Sequence, residues 1–279
     1  MKHIIAVADW ANDHLSNQEF LTAIEGFAKD PKNVRVSFVP STPSTLHTAF
    51  LLKQLIYTQS RLGRPDETIF FHNTDPRMQQ DRDIELAQGA PFVIAHLKNG
   101  VYVCGPNAGM VLSLLKPDIE ELFSYEGVST GSQFRSRDTL SRIVAHMADY
   151  MEQELELTEI HLHTIPDMEH DRWFVGHIDN FGNIKTTLTA DVLKGTYELG
   201  ETFTVTIGKT TKKVRYVAHM FAGHPGELVM FPGSSGHVED PYLEISVWRH
   251  FDKGDHHTGA HEFEYPRPGD EVRFSKAKS

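Results

Sequence analysis

The chain has one cysteine, few basic residues relative to acidic ones and no long apolar run, and each shortage excludes a class of protein or site. With Cys104 as the single cysteine among 279 residues, neither an internal disulfide framework nor a cluster of thiolate metal ligands can form. Lys and Arg total 27 against 38 for Asp and Glu, which gives a formal net charge of −11. Since such a surface is poorly suited to neutralising phosphates, we expect no nucleic-acid partner.

Hydrophobic runs are short throughout the chain. No stretch approaches the roughly 20 apolar residues that a membrane span requires, and the segment before Val7 lacks the apolar core and cleavage site of a signal peptide. Hydrophobic residues still make up 39% of the chain, enough for a sizeable core and for two domains. These features predict a cytoplasmic protein with no membrane partner.

Two residue patterns divide the chain near residue 165. In residues 1–165, short apolar runs alternate with amphipathic stretches, which is typical of an α/β domain with a largely parallel sheet. In residues 166–279, short β-forming segments are separated by Gly and Pro, which predicts a small all-β, barrel-like domain. The predicted strands are 4–8, 34–39, 68–72, 91–97, 101–104, 173–178, 203–207, 214–217, 228–231, 242–247 and 271–274, and the predicted helices are 18–29, 46–61 and 137–155.

Polar side chains follow several of the predicted strands of the first domain. They are Asp9, Trp10 and Asp13 after the first strand, Asp75 and Arg82 after the third, and Asn107 after the fifth. Ligands of open α/β sheets bind outside the carboxyl ends of the strands, so these side chains are candidates for a binding site. Each loop taken alone is equally typical of an ordinary turn.

The most informative segment of the second domain is the octet 176–183. It places Asp179 and Asn183 four residues apart, with Phe181 and Gly182 between them. Asp and Asn can bracket a polar ligand, while Phe can cover a flat ring. Because Asp, Asn and Gly are also the commonest turn formers, the spacing alone favours a hairpin turn.

Six motifs together resemble one protein family in their order and spacing. They are Asp9-Trp10-Ala11, Asp75-Pro76-Arg77 with Arg82, Gly105-Pro106-Asn107-Ala108-Gly109, Phe134-Arg135-Ser136-Arg137-Asp138 with Ala145-His146-Met147, Asp179-Asn180-Phe181-Gly182-Asn183, and Ser234-Ser235-Gly236 followed by Tyr242-Leu243-Glu244-Ile245. The family is that of the S-adenosylmethionine (SAM) hydroxide adenosyltransferases, the water-using relatives of the fluorinating and chlorinating adenosyl enzymes. The similarity covers most of the chain.

This resemblance implies both an architecture and a reaction. The architecture is an N-terminal α/β domain and a β-barrel-like C-terminal domain, assembled as a homotrimer with active sites at the subunit interfaces. The reaction is hydrolysis of SAM, in which an activated water attacks the ribose C5′ and releases adenosine and methionine without a metal or a cofactor. A sulfonium is already a good leaving group, so such an enzyme mainly has to desolvate and aim its nucleophile.

The same resemblance assigns roles to individual residues. Asp75 and Arg82 match two of the three family residues that hold and activate the water. The halogenating relatives carry Tyr at the position of Asp75, and a carboxylate there indicates water rather than a halide, because it repels an anion. The positions matched to substrate binding are Asp9, Trp10, Asp13, Asn107, Phe134, Ser136, Asp179, Phe181, Asn183, Ser234, Ser235 and Glu244.

The chain departs from the family pattern where water should be activated. Arg135 stands at the place of the third family residue, a His, and completes the predicted catalytic set with Asp75 and Arg82. An arginine stays protonated, so it can orient or stabilise an anion but cannot act as a general base near neutral pH. Arg77, Arg82 and Arg135 together would favour an anionic ligand over a sulfonium. The sequence therefore also allows an inactive or altered member that binds an adenosine-containing or anionic ligand.

Histidines suggest three further hypotheses. His72 precedes the Asp75 loop and is a candidate substitute base, although a buried strand end is the favoured interpretation. The alternation of His161 and His163 indicates an exposed strand face. The segment 253–262 holds His257 and His261 but matches no standard zinc spacing, so a solvated loop is favoured and no metal is predicted.

Overall fold

The computed structural model describes residues 1–76, 89–127, 134–248 and 257–276. The chain divides into two compact units, Met1–Met168 and Glu169–Ser279. Among the described helices, none combines the length and apolar character needed to cross a membrane.

The first unit is built on a seven-stranded sheet. Its strands are β1 (Lys2–Ala8), β2 (Val34–Pro40), β3 (Thr68–Asn73), β4 (Phe92–Leu97), β5 (Tyr102–Pro106), β6 (Ile119–Tyr125) and β7 (Leu157–Glu159), in the order β2-β1-β3-β5-β4-β6-β7. The pairings among β2, β1, β3 and β5 are parallel, whereas β4, β6 and β7 join antiparallel. The turn between β4 and β5 is too short for the crossover that parallel pairing needs, so the sheet is mixed.

Helices cover both faces of this sheet. They are α1 (His14–Phe27), α2 (Thr45–Leu62) and α3 (Ser141–Ala148). Successive strand residues point to opposite faces. Ile4 therefore packs in the core that contains α1 and α3, while Ile5 packs in the core that contains α2. Together with the sheet, this arrangement confirms the predicted α/β class.

The helix predicted over 137–155 is wrong in its extent. The chain forms a π-helical turn over Ser136–Leu140 and continues as α3, which ends at Ala148; two residues later Tyr150 has a φ of 59°. A non-glycine residue with positive φ lies outside the right-handed helical region, so the helix cannot continue through it. The apolar pattern nevertheless continues to Leu155, because that residue packs against the same core after the helix has ended.

The second unit is a closed seven-stranded barrel. Its strands are β8 (Trp173–Ile178), β9 (Ile184–Thr189), β10 (Thr202–Ile207), β11 (Thr210–Tyr216), β12 (Leu228–Gly236), β13 (Pro241–Val247) and β14 (Glu271–Lys276), in the order β10-β11-β12-β13-β9-β8-β14, and β14 closes on β10. Two short helices, α4 (Ala190–Leu193) and α5 (Gly259–Glu262), accompany them. Residues such as Val175, Phe203 and Ile245 fill the core. The predicted barrel-like domain is confirmed.

Three strands and one turn differ from the sequence prediction. The strands β6, β7 and β9 were not predicted, and in β9 the reason is its composition, since the buried Thr186 and Thr187 weaken the apolar signal. The predicted strand face at His161 and His163 is wrong, because Leu162–Thr164 forms a 3₁₀ turn in which the two imidazole rings stack. An alternating sequence pattern indicates a strand face only where the backbone is extended, and here the backbone forms a turn.

Candidate functional site

The loops that follow β1 and β3 meet at one edge of the sheet, as the parallel pairing requires. The Asp9 N–H donates to the Asn73 carbonyl at 3.2 Å, which ties the loop after β1 to the end of β3. Burial raises the pKa of the Asp9 carboxyl above its usual value, and the negative charge of Asp75 adds to this shift. The fold thus brings Asp9 and Asp75 into one electrostatic environment.

Asp75 forms an ion pair with Arg135 at this edge. Its Oδ2 accepts a hydrogen bond from Arg135 Nη2 at 3.1 Å and another from the Ala90 N–H at 2.9 Å. The side chains of Arg135 and Asp75 are only 13% and 11% exposed. Two of the three residues predicted to be catalytic are therefore in direct contact. The third, Arg82, lies outside the described residues, as does Arg77.

Gly89 allows the chain to pass close to this ion pair. It has a φ of 81°, and a Cβ built there would lie 2.3 Å from Arg135 Nη2 and 2.6 Å from Asp75 Oδ2. Any larger residue would have to displace the ion pair and would be strained in this backbone conformation. Gly89 is not recognisable from the sequence, because a glycine in a loop has no distinctive pattern.

Buried hydroxyl groups hold the backbone just before Asp75. Thr74 Oγ1 lies 2.7 Å from Thr48 Oγ1 and 3.1 Å from Ser41 Oγ, and all three residues are buried. These contacts join the end of β3 to α2 and to the loop after β2. They fix the loop that carries Asp75, and they are not recognisable from the sequence because the partners lie far apart in the chain.

Aromatic and polar side chains lie next to Asp9 and Arg135 in sequence. The Trp10 and Phe134 rings meet edge to face with centroids 5.5 Å apart. Trp10 Nε1 is buried and has no hydrogen-bond partner among the described residues. Ser136 is fully buried and accepts a hydrogen bond from Asn73 Nδ2. Ser136 also begins the π-helical turn, a feature that is frequent at functional sites.

Two of the predicted binding residues have structural contacts of their own. Asp13 caps α1, because its carboxylate accepts hydrogen bonds from the Ser16 hydroxyl and from the N–H groups of Leu15 and Ser16. The hydrogen bond from the Ser16 hydroxyl is the main cause that lowers the pKa of Asp13. Asn107 Nδ2 donates to the Thr164 carbonyl at 3.1 Å, and its buried Oδ1 has no partner among the described residues.

His72 lies at a buried strand end, which was the favoured interpretation of this residue. It is fully buried, and neither ring nitrogen has a hydrogen-bond partner in the described part of the chain. Burial lowers the pKa of the imidazole to about 3. Gly105 packs against the ring so closely that a Cβ there would lie 2.6 Å from it. A neutral, enclosed imidazole is a poor candidate for exchanging protons with a substrate.

We expect His72 to make the stability of the protein depend on pH. Its pKa is about 3 in the folded chain against an ordinary value of 6.5, so the unfolded chain binds more protons between these values. Stability should therefore fall as the pH drops below about 6.5, by up to about 1.4 kcal/mol per pH unit from this group. Urea unfolding of His72→Leu across this range should show a smaller slope. Equal slopes in the variant and the parent would contradict the prediction, and His163→Leu at an exposed position is the matched control.

In the second unit, the segment 179–183 forms the hairpin turn between β8 and β9. Asp179 Oδ1 accepts hydrogen bonds from the N–H groups of Phe181 at 2.9 Å and Asn183 at 3.0 Å, and Asp179 Oδ2 accepts one from Asn183 Nδ2 at 3.0 Å. Gly182 adopts a φ of 76°, and Ser246 Oγ donates to Asn183 Oδ1 at 2.6 Å. The interpretation of this segment as a turn is confirmed. The polar pair holds the turn, and Phe181 is left 59% exposed.

A charged cluster lies on the barrel strands β9, β12 and β13. Glu244 Oε1 accepts hydrogen bonds from Lys185 Nζ at 2.7 Å, from the Ser234 N–H at 2.7 Å and from Ser234 Oγ at 2.9 Å. Ser235 is buried next to it in sequence. A Cβ at Gly233 would lie 2.3 Å from Glu244 Cγ, so the glycine makes room for this carboxylate. Lys185 was not predicted, because its strand was not recognised.

The fold and the site together define a class of protein, namely an α/β domain with paired aspartates at its sheet edge followed by a closed β-barrel. Residues 174–240 match the model of the SAM hydroxide adenosyltransferase C-terminal domain. This match supports the resemblance to the SAM hydroxide adenosyltransferases seen in the sequence.

Solved structures share this fold over the whole chain. An uncharacterized conserved protein from Thermotoga maritima has a TM-score of 0.67 at 18% identity, with 98% of this chain and 100% of that chain covered. A conserved hypothetical protein from Thermus thermophilus has a TM-score of 0.63 at 21% identity, with 99% and 100% covered. No curated protein matches the chain.

Proposed function

We propose that the protein hydrolyses SAM to adenosine and methionine. The observation that carries this proposal is the Asp75 carboxylate, which Arg135 and the Ala90 N–H hold at the sheet edge beside Asp9. Water attacks the ribose C5′ while the bond from C5′ to the sulfonium sulfur breaks, and its electron pair stays on the sulfur of methionine. The attacking water loses one proton, and its oxygen becomes the 5′-hydroxyl of adenosine.

Asp75 is the group that we assign to the water. A carboxylate can accept a hydrogen bond from water, raise the electron density on its oxygen and take up its proton as the new bond forms. Arg135 donates to the same carboxylate and keeps it oriented, but it cannot take up the proton because it stays protonated. Its role is therefore to position Asp75, in a place where the family uses His.

Asp9 and the aromatic pair fit the nucleoside part of the substrate. A carboxylate can accept hydrogen bonds from both ribose hydroxyls, and partial burial strengthens such bonds. The rings of Trp10 and Phe134 offer apolar surface to the flat adenine. In this proposal the exposed Phe181 of a neighbouring subunit closes the site within a homotrimer, as the family resemblance implies.

A second function is favoured by the Asp75–Arg135 ion pair itself. The guanidinium already partly neutralises the carboxylate and replaces the family His, so the site could bind an adenosine-containing or anionic ligand without turning it over. Such a protein would bind its ligand without turning it over, so the deciding experiment has to measure both turnover and binding.

The deciding experiment is incubation of the purified protein with SAM in water enriched in ¹⁸O. Chromatography and mass spectrometry should show equal amounts of adenosine and methionine, with the heavy oxygen in the adenosine 5′-hydroxyl. S-adenosylhomocysteine is the control substrate. Its sulfur is a neutral thioether instead of a sulfonium, so it is a poor leaving group and should not be displaced by water. Saturable binding of adenosine or an adenine nucleotide, with no adenosine above the enzyme-free control, would establish the second function instead.

A further inference from the structure

Three metal-ligating side chains meet beside the short helix α5 of the barrel unit. They are His257, His261 and Glu262, and one ligand atom from each lies within 4.8 Å of the other two. Glu262 Oε1 contacts His257 Nε2, while Glu262 Oε2 lies 2.7 Å from Lys212 Nζ. The sequence alone favours a solvated loop here, because the spacing of these residues matches no standard zinc motif.

We propose that His257, His261 and Glu262 form a zinc-binding site. Imidazole nitrogens and a carboxylate oxygen are established zinc ligands at about 2.0–2.2 Å, with a tetrahedral arrangement that places ligand atoms roughly 3.3 Å apart. With a largest separation of 4.8 Å, the ligand atoms would have to shift relative to one another by about 1.5 Å at most to bind one ion. Two nitrogen ligands favour zinc over magnesium or calcium, which prefer oxygen.

The backbone around these ligands is well anchored. Thr258 Oγ1 accepts a hydrogen bond from the His261 N–H at 3.0 Å and caps α5, so the two histidines stand on either side of a fixed turn. The Ala260 N–H donates to the Gly182 carbonyl at 2.9 Å. A Cβ at Gly259 would lie 2.6 Å from the Ile245 carbonyl oxygen, so α5 packs directly on β13.

Lys212 orients the carboxylate of the site. Its ammonium pairs with Glu262 Oε2 and leaves the other oxygen directed at His257. A group that contacts a metal ligand from outside, as Lys212 contacts Glu262, fixes the direction of that ligand. Three protein ligands leave a fourth zinc position for water.

A bound zinc ion would stabilise the turn that contains Phe181. The link runs from the metal ligands through α5 and the hydrogen bond between Ala260 and Gly182 to the hairpin of β8 and β9. The expected effect is on the stability of this turn, so it does not depend on whether SAM is the substrate.

Zinc titration of the chelator-treated full-length protein tests this proposal. In competition with a chromophoric chelator, we expect one zinc ion per chain to bind at micromolar or lower free zinc. His261→Ala and Glu262→Gln should each weaken binding at least tenfold, as expected for loss of a ligand. His224→Ala, at an exposed histidine of the same unit, is the matched control and should bind zinc like the parent.

Two further readouts separate a metal site from a hydrogen-bonded cluster. Cobalt(II) bound in place of zinc should give visible absorption bands typical of tetrahedral nitrogen and oxygen ligands. Zinc should also raise the melting temperature of the parent and of His224→Ala, but not that of His261→Ala. Zinc affinity that is equal in His261→Ala and the parent, or no stoichiometric binding by the parent, would overturn the proposal.

Discussion

Replacement of Asp75 by asparagine is expected to lower the rate of adenosine release from saturating SAM by about 10²- to 10³-fold. The amide keeps the size of the carboxylate and an oxygen that can accept from the Ala90 N–H. It carries no negative charge, however, so it can neither take up the proton of the attacking water nor pair with Arg135 as an ion. The rate of adenosine formation, followed by chromatography, measures the effect.

The same substitution at an exposed aspartate is the control for this experiment. Asp171→Asn changes one carboxylate to an amide in a surface turn and should leave the rate unchanged. Thermal unfolding of Asp75→Asn, together with its affinity for adenosine, shows whether the variant keeps its fold and its nucleoside site. A folded Asp75→Asn protein that keeps its rate within about threefold would remove Asp75 from the proposed role.

Replacement of Glu244 by alanine is expected to lower the free energy of unfolding by about 3–5 kcal/mol. Glu244 and Lys185 are 6% and 13% exposed, and their ion pair is 2.7 Å long. Removing only the acid leaves the ammonium largely buried without its counter-charge, which costs more than the pair itself contributed. Ser234 also loses the acceptor for two hydrogen bonds. Urea unfolding monitored by circular dichroism measures the loss.

A surface ion pair in the same unit provides the comparison for Glu244. Glu169 pairs with Arg172 at 2.9 Å, but its side chain is 61% exposed, so Glu169→Ala should barely change the urea midpoint. The variants differ in burial and not in the chemistry of the substitution. Equal midpoints for Glu244→Ala and Glu169→Ala would show that the buried pair contributes no more than the exposed one.

The position of the aspartates at the sheet edge could be predicted from the sequence. Alternating apolar and amphipathic segments indicated an α/β sheet, and polar residues after its strands are expected at one edge because parallel strands end on the same side. The structure bears this out for Asp9 and Asp75, whose strands β1 and β3 pair in parallel. The prediction of their position needed only the local residue pattern and a general rule of sheet topology.

The contact between Asp75 and Arg135 could not be predicted from local pattern. The two residues are 60 positions apart, and their ion pair depends on how the π-helical turn before α3 meets the loop after β3. The family resemblance placed both residues near the water but not against each other. The zinc ligands show the same limit, because Glu262 meets His257 and Lys212 only through the packing of α5 on the barrel.

By itself the sequence determined the fold class, the family resemblance and the candidate residues, because periodicity and motif order are properties of neighbouring positions. Only the tertiary structure decided which candidates are in contact. It assigned Asp13 to a helix cap and the polar pair Asp179 and Asn183 to a hairpin turn, and it joined Asp75 to Arg135. The physical reason is that hydrogen bonds and ion pairs depend on distances of a few ångströms, and packing fixes these between segments that are remote in the chain.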